Sequence, residues 1–474
     1  MNARATPWQG RRLHFVGVGG AGMSGYARAA HALGAEVSGS DVTGGPYVER
    51  LAADGVLRTQ IGHAAENLPA GDGIEVVYSS AVIAENVERR AARERGLIER
   101  SRAELLAELT MLKRTIAVAG THGKTTTASM LVHAMRAAGL QPGWLVGGPI
   151  GGDLPNAGWG PGEWLVVEAD ESDRSMLSLN LEIAVLTNAE LDHHATFASL
   201  AELREAFREF LARASRAIVV WDRPELLALT PLDRGGAAVR AGQHQDGGSQ
   251  AGHEDGNGAV AVIPYDAPAP ALTRSGSSFP WRGREVQLQV PGAHNALNAI
   301  AALEAATIAG ADAALAIDSL ASFAGAGRRF QLLGASARGA LVYDDYAHHP
   351  TEVQATLRAA RTLEPRRLVA VFQPHLYSRT QLLAREFGRA LALADVVAVV
   401  DVYPARERAE DHPGVSGLMI AEATADASQG APVYWLPTFA DAEPPLRALL
   451  DRGDICVVMG AGDVPELGRA LVEP

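Results

Sequence analysis

Gly120-Thr121-His122-Gly123-Lys124-Thr125 is a segment whose residue types and spacing could hold a phosphate chain. The apolar run Thr115 to Ala119 precedes it and the helix-prone Thr126 to Leu131 follows, which predicts a strand, a glycine turn and a helix N-terminus in succession. Backbone N–H groups converge on an anion in such a turn, and the helix dipole favours negative charge there. A Lys-Thr pair can meet a terminal phosphate and its magnesium. Of 42 basic residues only Lys113 and Lys124 are lysines, and a compact ammonium on a flexible stem suits a phosphate. Val118 stands where G-x-x-x-x-G-K-[ST] would place its first glycine, which sets the loop apart from those of ordinary GTPases and ATPases.

A second glycine turn, Gly17-Val18-Gly19-Gly20-Ala21-Gly22, also follows a strand and opens a helix. With Asp41 downstream it has the form of a dinucleotide fingerprint, so an NAD(P)-dependent oxidoreductase is one reading. A dehydrogenase has no use for two different phosphate loops, and two anion sites imply two phosphorylated substrates. Glu168-Ala169-Asp170-Glu171-Ser172-Asp173 and Thr187-Asn188-Ala189-Glu190-Leu191-Asp192-His193-His194 each end an apolar run. In an open α/β sheet they would share the ligand-binding rim with Lys124 and Thr125, where carboxylates suit magnesium. Asn295 and Asn298 share one helix face, fit to reach a nucleotide or to cap the helix. Gly327-Arg328-Arg329-Phe330, Asp344-Asp345-Tyr346-Ala347-His348-His349-Pro350 and Gln373 to Thr380 bring arginines and histidines to further strand ends, suited to phosphate and carboxylate recognition.

The elements that must position these groups are strand-like runs alternating with Ala/Leu/Arg/Glu-rich helices, the pattern of an α/β protein with mostly parallel sheets. Strands are expected at 36–40, 76–80, 164–168, 183–187, 217–220, 340–343, 368–372, 396–400 and 455–459. Three domains follow: 1–110, 111–325 and 326–474, the second interrupted by a Gly/Gln/Asp/Ser/His-rich insertion at about 234–258. The 474 residues carry a net charge of −13, which argues against nonspecific binding to nucleic acid or an anionic membrane. A single cysteine, Cys456, excludes an intrachain disulfide and a cysteine-built zinc site. Without a bilayer-spanning run or a signal-peptide core, a cytoplasmic enzyme, monomeric or homodimeric, is expected.

Taken together, HFVGVGGAGMSG, SGSD, AGTHGKTTT, EADESD, TNAELDHH, PGAHNALNA, GRRF, DDYAHHPTE and FQPHLYSRT resemble the Mur ligase family over all three segments. The resemblance implies a Rossmann-like N-terminal domain for a UDP-sugar, a central P-loop-type ATP-binding domain and a C-terminal Rossmann-like domain for the incoming amino acid. Within the family, the branch adding L-alanine to UDP-N-acetylmuramate with ATP and Mg2+ is implied. Its sugar-nucleotide residues would be Gly19, Gly20, Ala21, Gly22, Ser40, Asp41, Ser79 and Ser80. Those for ATP would be Gly120, Thr121, His122, Gly123, Lys124, Thr125, Thr126, His294, Asn295, Asn298, Arg329 and Asp345. Thr125, Glu168 and His193 match the metal positions, with Glu171 as the alternative carboxylate. Tyr346, His348 and Arg379 would border the amino acid, and Lys124, His193, Arg329 and His348 would be catalytic. Ala347 replaces a glycine common in that branch, as it does in the relative that recycles murein tripeptide, which is the alternative within the family.

Overall fold

The computed structural model describes residues 6–151, 154–192, 196–231, 260–267 and 269–473. It divides into two compact units, Met1–Asp266 with Ala299–Ser319, and Ala267–Asn298 with Leu320–Pro474. The 234–258 insertion lies outside the described residues.

The first unit contains two sheets. Strands β1 (Arg12–Val16), β2 (Glu36–Asp41), β3 (Gln60–Ile61), β4 (Ile74–Tyr78) and β5 (Ile98–Ser101) form an all-parallel sheet in the order β3-β2-β1-β4-β5. Chain order reverses at β1, so the glycine turn after it falls at the switch point, where open α/β sheets bind ligands. The second sheet comprises β6 (Arg114–Ala119), β7 (Gly143–Leu145), β8 (Ala157–Gly158), β9 (Trp164–Glu168), β10 (Ile183–Leu186), β11 (Ala217–Trp221) and β12 (Ala261–Tyr265). Its order is β12-β11-β10-β6-β9-β7-β8, parallel except for β8 against β7. Ile116 to Ala119 and Ile183 to Leu186 have no exposed surface, as expected of central parallel strands covered on both faces. Phe207 and Phe210 of the helix Leu200–Leu211 are likewise fully enclosed, each contributing about 1.5–3 kcal/mol of hydrophobic stabilisation.

The second unit has a small antiparallel sheet that sequence reading did not anticipate: β13 (Ala271–Thr273), β14 (Gly276–Trp281) and β15 (Arg284–Leu288). Its larger sheet contains β16 (Gln331–Ala335), β17 (Leu341–Asp345), β18 (Leu368–Phe372), β19 (Val396–Val399), β20 (Val433–Trp435) and β21 (Ile455–Met459). The order is β16-β17-β21-β18-β19-β20, with β16 alone antiparallel. Cys456 is fully buried in β21, where burial pushes its thiol up to about 12.

A buried polar network braces the N-terminal sheet. Glu88 has no exposed surface. It accepts hydrogen bonds from Ser40 Oγ at 2.7 Å, Asn67 Nδ2 at 2.8 Å and the Ala64 N–H at 3.1 Å, and it meets His14 Nε2 at 3.0 Å. Burial opposes its ionisation, but the bonds from His14, Ser40 and Asn67 outweigh that and hold the carboxyl at about 2 against an ordinary 4.5. A depressed acid stabilises the fold above its unfolded pKa and ceases to do so as pH falls through its folded value. Glu88→Gln should therefore cost about 3 kcal/mol at pH 7. Chemical denaturation should show the gap to the parent chain closing as pH falls below 4.5 towards 2; a gap that does not change with pH would contradict this assignment.

Candidate active site

The sequence after β6 turns sharply because two glycines there adopt left-handed backbone, Gly120 at φ +128° and Gly123 at φ +81°. Gly123 is also the N-cap of the helix Lys124–Ala137 and supplies no side-chain acceptor. That leaves first-turn N–H groups available to an anion. Elsewhere in the chain Asn86, Ser101 and Ser199 accept from the first turns of their helices, each with an acidic residue nearby. The helix Ala21–Ala32 repeats the uncapped arrangement, with Gly20 as its N-cap and no acid in its first turn.

Parallel pairing places the ends of β9 and β10 on either side of this turn, with Val118 opposite Glu168 and Ala119 opposite Leu186. The segment after β10 clamps the loop. Thr187 Oγ1 donates to His122 O at 2.6 Å, Asn188 Nδ2 donates to His122 O at 2.9 Å, and the His122 N–H donates to Asn188 Oδ1 at 2.9 Å. Thr121 Oγ1 donates to Glu190 O at 2.8 Å. The segment after β9 supplies the charges. Lys124 Nζ donates to Gly120 O at 2.6 Å, Thr121 O at 3.1 Å and Glu171 Oε1 at 3.0 Å, and Glu171 is fully buried. Burial alone would lower the ammonium's pKa, but Glu171, Asp170 and Glu168 outweigh it and hold Lys124 above its ordinary value. Burial likewise pushes Asp170 up, and Arg102 and Lys124 outweigh that to bring it to about 2.

Thr125 Oγ1 donates to Glu168 Oε1 at 3.0 Å, while Glu168 Oε2 accepts the Gly147 N–H at 2.6 Å. A hydroxyl and a carboxylate side by side at a phosphate loop are hard oxygen donors of the kind magnesium takes alongside substrate phosphates, so the residues fit that ion. His193, expected as a third ligand, lies outside the described residues, as does His194. Of the two candidate carboxylates, Glu168 faces Thr125 and Glu171 faces Lys124. Lys113, the other lysine, donates to Gly160 O at 2.9 Å and is a structural tie.

At the first glycine turn, Asp41 is engaged by its own loop, accepting the Gly19 N–H at 2.7 Å and the Thr43 N–H at 3.4 Å. A Cβ on Gly19 would stand 2.9 Å from Asp41 Oδ2, so the glycine is what permits this approach. The Ser40 hydroxyl points inward to Glu88 and His63. Ser79 is half-buried and Ser80 exposed just past β4. Sequence reading did not single out Asn156, whose Nδ2 donates to Ala21 O at 2.5 Å and lies 3.2 Å from Ser24 Oγ. It ties the helix behind the first glycine turn to the strand pair β7 and β8, and no local motif marks it.

The second unit gathers the remaining candidates around the ends of β17, β18 and β21. Asp345 accepts the Phe330 N–H at 2.7 Å and the Ala347 N–H at 2.8 Å. Burial raises its carboxyl to about 6, with Arg329 opposing. Arg329 lies 3.7 Å from Glu352 Oε1 and over the Tyr346 ring. Burial first, then Arg329, lowers His294 to about 4, so its imidazole is neutral at pH 7. Asn295 and Asn298 are both buried, Asn295 donating to Pro291 O at 2.7 Å and Asn298 to Asn295 Oδ1 at 3.3 Å. His348 Nδ1 lies 3.2 Å from Glu352 Oε2, and its ring packs edge-on to Tyr346 and His375. Arg379, 2% exposed, places Nη1 3.1 Å from His375 Nδ1. The turn after β21, Gly460 to Asp463, also belongs here: Arg328 Nη2 donates to Gly460 O at 2.7 Å, and Gln373 Nε2 donates to Asp463 Oδ1 at 2.7 Å. Its signal was present in the sequence, an apolar run followed by Gly-Ala-Gly-Asp.

Comparison with known proteins gives matches along the chain. Residues 12–114 match the Mur ligase family catalytic domain, 118–306 the Mur ligase middle domain, and 328–462 the glutamate ligase domain of Mur ligases. The chain is 44% identical to the UDP-N-acetylmuramate–L-alanine ligase of Kineococcus radiotolerans, covering 97% of this chain and 95% of that protein. It is 43% identical to the protein of the same name from Mycolicibacterium vanbaalenii, covering 98% and 96%. Among solved structures it is similar to a UDP-N-acetylmuramate-alanine ligase from Thermotoga maritima, with 26% identity, a TM-score of 0.78 and coverage of 97% and 98%. A murein peptide ligase from Psychrobacter arcticus gives 25% identity, a TM-score of 0.69 and coverage of 98% and 99%.

The clamp on the loop gives a sharp expectation. A Cβ on Gly120 would overlap the Thr187 hydroxyl and stand 3.0 Å from the Asn188 backbone nitrogen, an overpacking of about 1–3 kcal/mol. Gly120→Ala should keep its circular dichroism spectrum yet bind a non-hydrolysable ATP analogue about tenfold more weakly or worse in calorimetry. Parental affinity in that variant would show that the loop's approach to β10 is dispensable.

Proposed function

The chain belongs to the Mur ligase family, and from that premise we propose that it joins L-alanine to the lactyl carboxylate of UDP-N-acetylmuramate at the expense of ATP, in the synthesis of peptidoglycan precursors. One observation carries the reading beyond the names of its relatives. A single compact unit holds two uncapped glycine turns of different type, one of them leading into Lys124 and Thr125 beside Glu168 at the end of β9.

A carboxylate oxygen is too poor a leaving group for direct amidation, so the substrate carboxylate first attacks the γ-phosphate of ATP, giving an acyl phosphate and ADP. The alanine amine then attacks the acyl carbon and expels phosphate. Lys124 reaches the β- and γ-phosphates by exchanging its backbone carbonyls or Glu171 for phosphate oxygens, and its charge offsets what accumulates in the transition state. Thr125 and Glu168, with His193, are the proposed holders of Mg2+, which when bound neutralises phosphate charge. Gly120 to Thr126, His294, Asn295, Asn298, Arg329 and Asp345 are assigned to ATP. Gly19 to Gly22, Asp41, Ser79 and Ser80 are assigned to the sugar nucleotide, with Ser40 supporting them from within. Tyr346, His348 and Arg379 are assigned to the amino acid, the guanidinium being suited to its carboxylate. We assign the domains to residues 1–110, 111–325 and 326–474. No helix among the described residues is long and apolar enough to cross a membrane; we assign the site of action to the cytoplasm.

Ala347 and the likeness to a murein peptide ligase favour one second reading, recycling of murein tripeptide by the same chemistry. Purified protein with Mg2+ should release phosphate only when ATP, UDP-N-acetylmuramate and L-alanine are all present. Release with the tripeptide in place of alanine would transfer the assignment to recycling, and release without the sugar nucleotide would refute both. The two carboxylates should separate in magnesium titrations. Glu168→Gln is expected to raise the Mg2+ concentration for half-maximal rate about tenfold or more. Glu171→Gln should leave that concentration near parental while altering Lys124-dependent ATP affinity; the opposite pattern would exchange their roles.

A further inference from the structure

The helix Arg102–Met111 starts from a rigid cap, in which Ser101 and Glu104 bond each other's backbone reciprocally. Arg102, its first residue, extends its guanidinium between the segment after β9 and the helix that opens at the first glycine turn. One side of its guanidinium faces the segment after β9. Nη2 lies 3.2 Å from Asp170 Oδ2 and 3.4 Å from Ser175 Oγ, and Nε lies 2.9 Å from Asp173 Oδ2. The other side faces the helix that opens at the first glycine turn: Nη1 stands 3.6 Å from where a Cβ on Gly22 would be. Among the described residues no acceptor meets Nη1. The side chain is 17% exposed, so the cation is largely withdrawn from water and its charge is weakly screened.

We propose that Arg102 is a binding residue for the diphosphate of the sugar nucleotide, and that it also couples this site to the ATP site by placing one cation between two polyanionic ligands. The proposal rests on the assignment of the first glycine turn to the sugar nucleotide. Gly19 to Gly22 offer an anion backbone N–H groups and a helix dipole but no cationic side chain of their own. Arg102 supplies that charge from the neighbouring helix, in a geometry suited to phosphate oxygens. Its opposite edge is held by Asp170, which lies in the field of Lys124. Two nearby polyanions repel each other, and a cation shared between them offsets that repulsion. By linkage, any change in how one ligand binds is returned to the other by the same factor.

The test is calorimetry of UDP and of UDP-N-acetylmuramate, each with and without Mg2+ and a non-hydrolysable ATP analogue, on the full chain. Arg102→Gln should weaken both uridine ligands about tenfold in the absence of the analogue, and by a further factor of about three or more when the analogue is bound. The analogue's own affinity for the variant should stay within about twofold of parental when no sugar nucleotide is present. If Arg102→Gln is poorly folded because Asp170 and Asp173 lose their partner, Arg102→Lys takes its place. It keeps the charge without the fork, so it should weaken the uridine ligands yet preserve the ratio of affinities with and without the analogue. Parental affinity for UDP in these variants, or an unchanged ratio in Arg102→Gln, overturns the proposal. A parental protein that binds neither uridine ligand would instead overturn the assignment of the glycine turn itself.

Discussion

The candidate site depends on how closely the turn after β6 approaches the turn after β10. Thr187 and Asn188 meet the backbone of His122 at 2.6–2.9 Å, and a Cβ at position 120 would overlap the Thr187 hydroxyl. This contact sets the direction of the loop's N–H groups, the starting point of the helix Lys124–Ala137 and hence the place of Lys124 and Thr125. Everything chemical follows from that placement. The β9 end is carried alongside by strand pairing, so Glu168 meets Thr125 and Glu171 meets Lys124 without either needing a long or mobile loop.

The site is balanced electrostatically before any ligand arrives. Lys124 is bonded to two carbonyls and a buried carboxylate, and Asp170 is held ionised by Arg102. A buried ammonium without such partners would shift towards its neutral form, and a neutral amine cannot offset phosphate charge. The pairing thus keeps the lysine charged while hidden, and a phosphate displaces partners of a charged group instead of having to ionise a neutral one. In the second unit the same physics runs the other way. Burial leaves His294 neutral at pH 7 and raises the Asp345 carboxyl, so that region offers polar groups of reduced charge beside the cationic Arg328 and Arg329.

Much of this was legible in the sequence, for identifiable reasons. Central parallel strands are almost wholly apolar, so β9, β18 and β21 could be read to the residue, and glycines directly after such runs announced both uncapped turns. Short or amphipathic edge strands such as β3, β8 and β20 carry no such signal, and neither did the antiparallel sheet β13 to β15, whose residues alternate weakly. The division of labour between Glu168 and Glu171 was not legible, because three residues of sequence do not reveal which side chain turns towards which neighbour. Asn156 and Arg102 act across elements distant in sequence, and no local pattern marks them. Ser40 sits within a recognisable motif, yet its hydroxyl faces the interior, where it braces Glu88.

Cys456 lies near the start of β21, fully buried and with its thiol held in the protonated form. The polypeptide is therefore silent towards maleimides and other sulfhydryl reagents as long as it remains folded. Two cysteines introduced on its surface would be the only reactive ones, so a donor and an acceptor fluorophore could be attached, one to each compact unit, without first removing a native thiol. The distance between the units during turnover is thus open to single-molecule measurement in an otherwise unaltered enzyme.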